Sequence, residues 1–408
     1  MSNIDNLCYP YFGFSDQKIN PIQIVSASGS KIKTIEGNEL IDGVSSWWSV
    51  CHGYSHLHIL NNMQKQMQRF SHVMFGGITH EPAQMLANML CEFFDGAFQK
   101  VFFSDSGSTA VEVSLKMAIQ HWVNQGFESK KIFVYFENGY HGDTCGAMSV
   151  SDAMQNGMFD SIVQKHLRTK VPETEEDFLK FEELILLNRQ QVAAAIIEPL
   201  FQGAGGCKMY PRETLNRIFR ILKKYNILII SDECATGFYR TGMKFASVNQ
   251  NIDIKPDIMI LGKALTAGYI GLAATCITQE IFESVYKTKF CHGPTFMANP
   301  LACSAAIASL ELFALHDYSK MVQNINLRFL NLANKIGGRA LGAIFAIDFE
   351  GDSRMNYTIK AEVASQKHGI WLRPLGNTLY MMPPLNISDD ELDFLINRFV
   401  ELVNLAKK

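Results

Sequence analysis

Ile227-Leu228-Ile229-Ile230-Ser231-Asp232-Glu233 and Asp257-Ile258-Met259-Ile260-Leu261-Gly262-Lys263 decide the fold. Each is a short apolar run rich in β-branched residues, and each leads into a charge. Runs of this length and character predict strands buried on both faces, as in a parallel sheet. Asp232 and Lys263 then arrive at the C-terminal edge of that sheet, where open α/β folds place their ligands. A lysine and an aspartate meeting there suit an aldehyde cofactor. The amine forms a Schiff base, and the carboxylate pairs with a protonated pyridine nitrogen. These two residues alone leave a second reading open, that of ordinary strand-end charges.

The same texture continues on both sides. Residues 101–103, 132–136, 193–197 and 271–278 read as further strands. Between them, Val111, Leu115, Ala118 and Trp122 recur at helical spacing, and Pro211 suits the first turn of a helix reaching Tyr225. This βαβ rhythm predicts a mainly parallel sheet sandwiched by helices. Residues 152–190 read as a polar excursion with a short helix near 175–187. After Asn299 come two long helical segments, short strands near 343–349, 369–372 and 378–382, and an amphipathic helix over 389–405. The expected division is a large domain over 46–298 and a smaller α+β domain over 299–408, the latter completed by residues 1–45.

With 408 residues, 47% hydrophobic and 19% charged, the composition is that of a globular protein with a large core. A formal net charge of −3 gives no reason to expect nucleic acid or an anionic membrane as partner. No apolar run approaches the ~20 residues that cross a bilayer, and the N-terminal residues lack a signal-peptide pattern. A cytoplasmic location is therefore expected. Nine cysteines with no C-x-x-C pair read as reduced thiols. His52, His56 and His58 cluster, but no carboxylate or cysteine follows at ligand spacing, so no metal is expected.

A pyridoxal phosphate site needs five kinds of group, and each has a candidate. Ser104-Asp105-Ser106-Gly107-Ser108-Thr109-Ala110 offers a turn between strand and helix whose N–H groups suit a phosphate; a plain N-cap is the alternative. Tyr140, in Asn138-Gly139-Tyr140-His141-Gly142-Asp143, sits at the same sheet edge and can stack on a ring. Asp232 would keep the pyridine nitrogen protonated, or simply cap the next segment. Lys263 would hold the cofactor and shuttle a proton. Arg373, in Trp371-Leu372-Arg373-Pro374-Leu375, can fork onto a substrate carboxylate, a surface arginine being its alternative. Gln202-Gly203-Ala204-Gly205-Gly206 does not match the dinucleotide pattern, which weighs against a nicotinamide oxidoreductase.

Taken together, these segments resemble the class III branch of fold type I pyridoxal-phosphate aminotransferases, from about residue 9 to 384. The family pattern lies in Ser231-Asp232-Glu233 through Thr241-Gly242 and in Leu261-Gly262-Lys263-Ala264-Leu265. Asp42-Gly43-Val44-Ser45-Ser46-Trp47-Trp48, Ser71-His72-Val73-Met74-Phe75-Gly76-Gly77-Ile78-Thr79-His80, Asn138–Asp143 and His292-Gly293-Pro294-Thr295-Phe296-Met297 resemble its biotin-synthesis branch. The resemblance implies a mainly parallel, seven-stranded-type sheet in a large domain, and pyridoxal 5'-phosphate on Lys263. It places Asp232 on the pyridine nitrogen, Gly107 and Ser108 on the phosphate, and Tyr140 against the ring. It also implies a homodimer with shared active sites, in which Pro294 and Thr295 reach the neighbouring subunit's phosphate. Tyr11, Trp47, Tyr140, Lys263, Gly293 and Arg373 would line the substrate pocket. S-adenosylmethionine would be the amino donor and 8-amino-7-oxononanoate the acceptor.

Three rivals stand beside that reading. One is an ω-aminotransferase of the ornithine or 4-aminobutyrate type, the second is the same reaction with lysine as donor, and the third is a regulator that keeps the fold without turnover. Tyr239 and Ala267 stand where the family pattern has glycine, and Tyr239 precedes Arg240, itself expected near the pocket. Donor recognition is what these departures touch.

Overall fold

The computed structural model describes residues 6–11, 21–153, 157–349, 359–360 and 362–406. Its centre is a seven-stranded sheet in the order Lys100–Ser104, Ala273–Ile277, Ile258–Leu261, Leu228–Asp232, Val192–Ile197, Ile132–Phe136, Leu167–Thr169. The four strands Val192–Ile197, Leu228–Asp232, Ile258–Leu261 and Ala273–Ile277 are buried throughout, as two-faced burial requires. Alternation sorts their side chains. Leu228 and Ile230 pack with Val111 and Trp122 on one face. Ile227 and Ile229 pack with Phe219 and Leu222 on the other.

Two strands add detail to the expected, mainly parallel sheet. Ala273–Ile277 runs antiparallel to both its neighbours. Apolar content carries no direction, and the link from Ile258–Leu261 holds only the short turn Lys263–Thr266 rather than a crossover helix. Leu167–Thr169 adds an edge strand inside the stretch read as a polar excursion. Three half-exposed residues are too few to set a period.

The helix Gly107–Asn124 starts where Ser106 accepts a hydrogen bond from Thr109 N–H at 3.2 Å. It is fixed to the sheet by Trp122, whose Nε1–H donates to the Ala193 carbonyl at 2.8 Å. Truncating this buried indole to alanine would cost roughly 3–5 kcal/mol. On the other face, Arg212–Lys224 follows Pro211, which serves as its N-cap.

Segments from early and late in the chain meet in a second sheet. Ile24–Ser28, Lys31–Thr34 and Glu39–Asp42 form a meander, and Ile370–Trp371 joins it parallel to Glu39–Asp42. A third sheet pairs Arg339–Leu341, Ile344–Asp348 and Thr378–Met381. The helices Pro300–Leu315, Tyr318–Ile336 and Asp389–Ala406 contribute to the core that continues from these sheets into the central one. Among the described residues, no helix is long and apolar enough to cross a membrane.

Candidate active site

Strand ends build the site. Leu228–Asp232 finishes on Asp232, Ile258–Leu261 leads into Lys263, and Val192–Ile197 delivers Glu198 to the same edge. The N-terminus of the helix Gly107–Asn124 comes from a fourth strand end, and the loop after Ile132–Phe136 brings Tyr140 and His141. Together with Trp48 and Cys234, these residues line one cavity of about 140 Å³. Gly107, Ser108, Tyr140, Asp232 and Lys263, named from sequence, are thus brought together.

Asp232 is the electrostatic centre. Its Oδ2 lies 2.7 Å from His141 Nδ1, and its Oδ1 accepts from the Cys234 N–H at 3.0 Å. Burial pushes its carboxyl up, but the His141 hydrogen bond and the charges of His141 and Lys263 outweigh that and hold it below the ordinary range. An ionised carboxylate accepts only, so His141 Nδ1 is the donor. Lys263 has φ 45°, in the left-handed region, and its Nζ stands 5.2 Å from the centre of the Trp48 ring.

Glu198 is the group that sequence reasoning missed. Its carboxylate is buried and accepts from Tyr140 N–H at 3.0 Å and Gly203 N–H at 3.1 Å. Burial pushes it up to about 7, with Asp232 adding to the effect and His141 opposing it. The signal was present: Ile196-Ile197-Glu198 ends a buried strand on a charge, just as Ile229-Ile230-Ser231-Asp232 does. Gly203 also explains the glycine-rich loop, since a Cβ there would come within 2.5 Å of the Trp48 indole.

A chain of contacts leads away from the lysine. The Tyr140 hydroxyl is 3.4 Å from that of Tyr11, which donates to Asp143 at 3.1 Å. Burial, then Tyr11 and Asp143, push the Tyr140 phenol well above its usual value, so it stays protonated at neutral pH. Tyr11 meets Trp47 edge to face at 6.3 Å, and the Arg373 guanidinium lies 5.4 Å over the Trp47 ring. Tyr11, Trp47, Tyr140 and Arg373 therefore form one connected group. Gly293, Pro294 and Thr295 do not line the Lys263 cavity of their own chain. The Thr295 carbonyl instead meets His72 Nε2 at 2.7 Å.

Arg240 stands apart from the cavity. It is buried, and its Nη1 donates to the carbonyl of Pro383 at 2.7 Å. Tyr239 packs on Phe313 and Tyr318 rather than into the cavity. Tyr239 and Ala267 have φ 67° and 52°, so both occupy the left-handed conformation that glycine would take without cost.

This donor set fits pyridoxal phosphate. A helix N-terminus suits the phosphate, a buried anion suits a pyridinium, and a primary amine suits the aldehyde. Gly107 leaves bare backbone at that terminus, where a Cβ would press to 3.1 Å from the Cys234 sulfur.

Comparison with known proteins agrees. The family model for aminotransferase class-III matches residues 13–403. An adenosylmethionine-8-amino-7-oxononanoate aminotransferase of Buchnera aphidicola is 38% identical over 400 residues, covering 93% of this chain and 92% of its own. The Corynebacterium glutamicum protein of that name is 38% identical over 384 residues, covering 89% of each chain. The crystal structure of the Methanocaldococcus jannaschii protein of that name superposes with TM-score 0.93 at 30% identity, covering 100% of this chain and 98% of its own. An amine transaminase from an uncultivated Pseudomonas species, solved with PLP bound, gives 0.89 at 28% identity over 97% of this chain and 98% of its own. The chain belongs to the class-III aminotransferases, which work through pyridoxal 5'-phosphate.

Proposed function

We propose that this aminotransferase moves the amine of S-adenosylmethionine to 8-amino-7-oxononanoate, giving 7,8-diaminononanoate for biotin synthesis. The observation that carries this reading is the line of contacts Tyr140–Tyr11–Trp47–Arg373, running from the lysine cavity to a guanidinium. A long aliphatic carboxylate needs an apolar wall ending in a cation. A sulfonium needs an aromatic face, and the two tryptophans offer one. The relatives named for this reaction support the same substrates.

Bound pyridoxal phosphate supplies the electrophilic aldehyde and an electron-accepting ring. The chain does the rest. Gly107 and Ser108 hold the phosphate at the helix N-terminus, and Asp232 holds the pyridine nitrogen in its protonated form while His141 keeps that carboxylate charged. Lys263 Nζ would hold the cofactor's aldehyde and, when free, would be the base for the proton at the donor carbon. Tyr140 would lie against the ring, its backbone N–H held by Glu198. Arg373 takes the acceptor's carboxylate and orients its ketone toward Lys263.

In this reading residues 46–298 bind the cofactor, and the segments 1–45 and 299–408 close the substrate side. The enzyme is a cytoplasmic homodimer, with Pro294 and Thr295 of the partner subunit completing the phosphate site and Gly293 of the partner subunit bordering the substrate.

Single-turnover amino transfer tests the assignment through loss of the cofactor's visible absorbance. S-adenosylmethionine should discharge the absorbance faster than lysine, ornithine or 4-aminobutyrate. Faster discharge by any of the other three would replace the proposed donor.

A further inference from the structure

Ser45, Ser46, Trp47 and Trp48 have φ of 48°, 43°, 53° and 71°. Four consecutive L-residues in the left-handed region form a turn that backbone preference opposes at every position. Such a turn persists only where its surroundings over-determine it, and here the surroundings can be named.

The strand Glu39–Asp42 ends on a buried carboxylate just before the turn. Asp42 Oδ1 accepts from Val44 N–H at 2.9 Å, and Oδ2 accepts from Ser46 N–H at 2.8 Å and from the Tyr54 hydroxyl at 2.6 Å. The Tyr54 hydroxyl also lies 2.5 Å from Ser46 Oγ. On the far side, Ser45 Oγ donates to the Met382 carbonyl at 2.7 Å. Burial pushes the Asp42 carboxyl up, and its hydrogen-bond donors oppose that rise.

The turn delivers two aromatic side chains to different places. Trp48 lies beside Lys263 Nζ and donates to the Tyr380 hydroxyl at 3.3 Å. Trp47 lies under Arg373 and against Tyr11. Asp42 also pairs in parallel register with Trp371, two residues before Arg373, so the strand that carries the carboxylate also sets the arginine's height.

We propose that Asp42 is a positioning residue for substrate recognition: its carboxylate holds the left-handed turn that aims Trp47 at the arginine and Trp48 at the lysine. The inference rests on the substrate reading given above. Asp42 acts through the tryptophans and touches neither cofactor nor reacting atoms. Its loss should therefore weaken acceptor binding while leaving the cofactor on Lys263.

The test uses the holoenzyme. Asp42→Asn keeps the size but exchanges one acceptor oxygen for an NH₂ donor. Its KM for 8-amino-7-oxononanoate should rise about tenfold with kcat falling less than about threefold. The cofactor's visible absorbance should persist, while the near-ultraviolet circular dichroism of the tryptophans weakens. Adding Ser46→Gly should restore KM to within about threefold of wild type, because glycine adopts the left-handed conformation at no steric cost. Unchanged KM and unchanged dichroism in Asp42→Asn would overturn the proposal, and so would a loss that Ser46→Gly fails to rescue. Should Asp42→Asn not fold, Tyr54→Phe removes one donor and is expected to raise KM about threefold; no change there overturns the proposal equally. Wild-type enzyme that does not turn over 8-amino-7-oxononanoate would instead sink the substrate reading, and the dichroism and its rescue would still decide the role of Asp42.

Discussion

The sheet edge and the Ser45–Trp48 turn reach the same cavity by opposite routes. Asp232 and Glu198 sit at the ends of regular buried strands, held in place by backbone pairing on both sides. The tryptophans arrive on a backbone that is disfavoured by roughly 1–2 kcal/mol per residue, held there by the side chains of Asp42, Ser45 and Tyr54. Lys263 joins the two modes: a regular strand leads into it, yet its own φ is left-handed. The groups proposed for chemistry therefore stand on a framework held by backbone pairing and core packing. Those proposed for recognition depend on a few polar contacts, so a single side-chain change can move them without unfolding the sheet.

The largest effect expected on the chemical side is that of Lys263→Ala. Turnover should fall by at least about 10⁴-fold, with the thermal midpoint of the cofactor-free protein nearly unchanged, because Lys263 is the one amine among the described residues lining the cavity. Residual turnover well above about 0.01% of wild type in a stopped-flow assay would break the distinction between the two routes.

Glu198→Gln probes the framework itself. Folding raises this carboxyl from its ordinary 4.5 to about 7, so the folded state holds the proton more tightly than the unfolded chain. Its contribution is fully present below about pH 4.5 and is lost as pH rises to about 7. The difference amounts to about 3 kcal/mol. Urea midpoints of wild type should therefore decline across that window relative to Glu198→Gln, and parallel midpoints would show that Glu198 is not held protonated.

Arg373→Leu sharpens the recognition side. Losing a charge-assisted contact from this half-buried arginine should raise KM for the oxo acid about tenfold to thirtyfold. The half-reaction with the amino donor should change less, since the donor's carboxylate sits on the same carbon as its reacting amine and not at the end of a long aliphatic chain. Equal losses in both halves would place Arg373 in the chemistry instead.

The smallest effect belongs to Tyr239→Gly. Relief of the left-handed strain and loss of the ring contacts with Phe313 and Tyr318 oppose each other. Stability should move by no more than about 1 kcal/mol. KM for S-adenosylmethionine should stay within twofold, because the ring packs outside the cavity. A larger shift in donor KM would extend the recognition region to that loop.

The buried strands were readable because burial on both faces writes a continuous apolar run, and a charge at its end marks the edge. That logic located Asp232 and Lys263, and applied to Ile196-Ile197-Glu198 it would have located Glu198 as well. The direction of Ala273–Ile277 was not readable, since hydrophobicity is the same for either direction. Nor was the edge strand Leu167–Thr169, which is too short to show a period.

By itself the sequence determined the layered α/β architecture, the family, and which residue types could hold an aldehyde cofactor, because these depend on local pattern and on motifs contiguous in the chain. Only the tertiary structure decided that Ser-Ser-Trp-Trp, with no glycine to signal it, turns left-handed. It also decided that Trp47 meets Arg373 and that Tyr239 and Arg240 stay out of the cavity. Those outcomes are set by hydrogen bonds and packing between residues far apart in sequence, such as Ser45 with Met382 and Trp48 with Tyr380. Local preference opposes the turn, and long-range contacts overrule it.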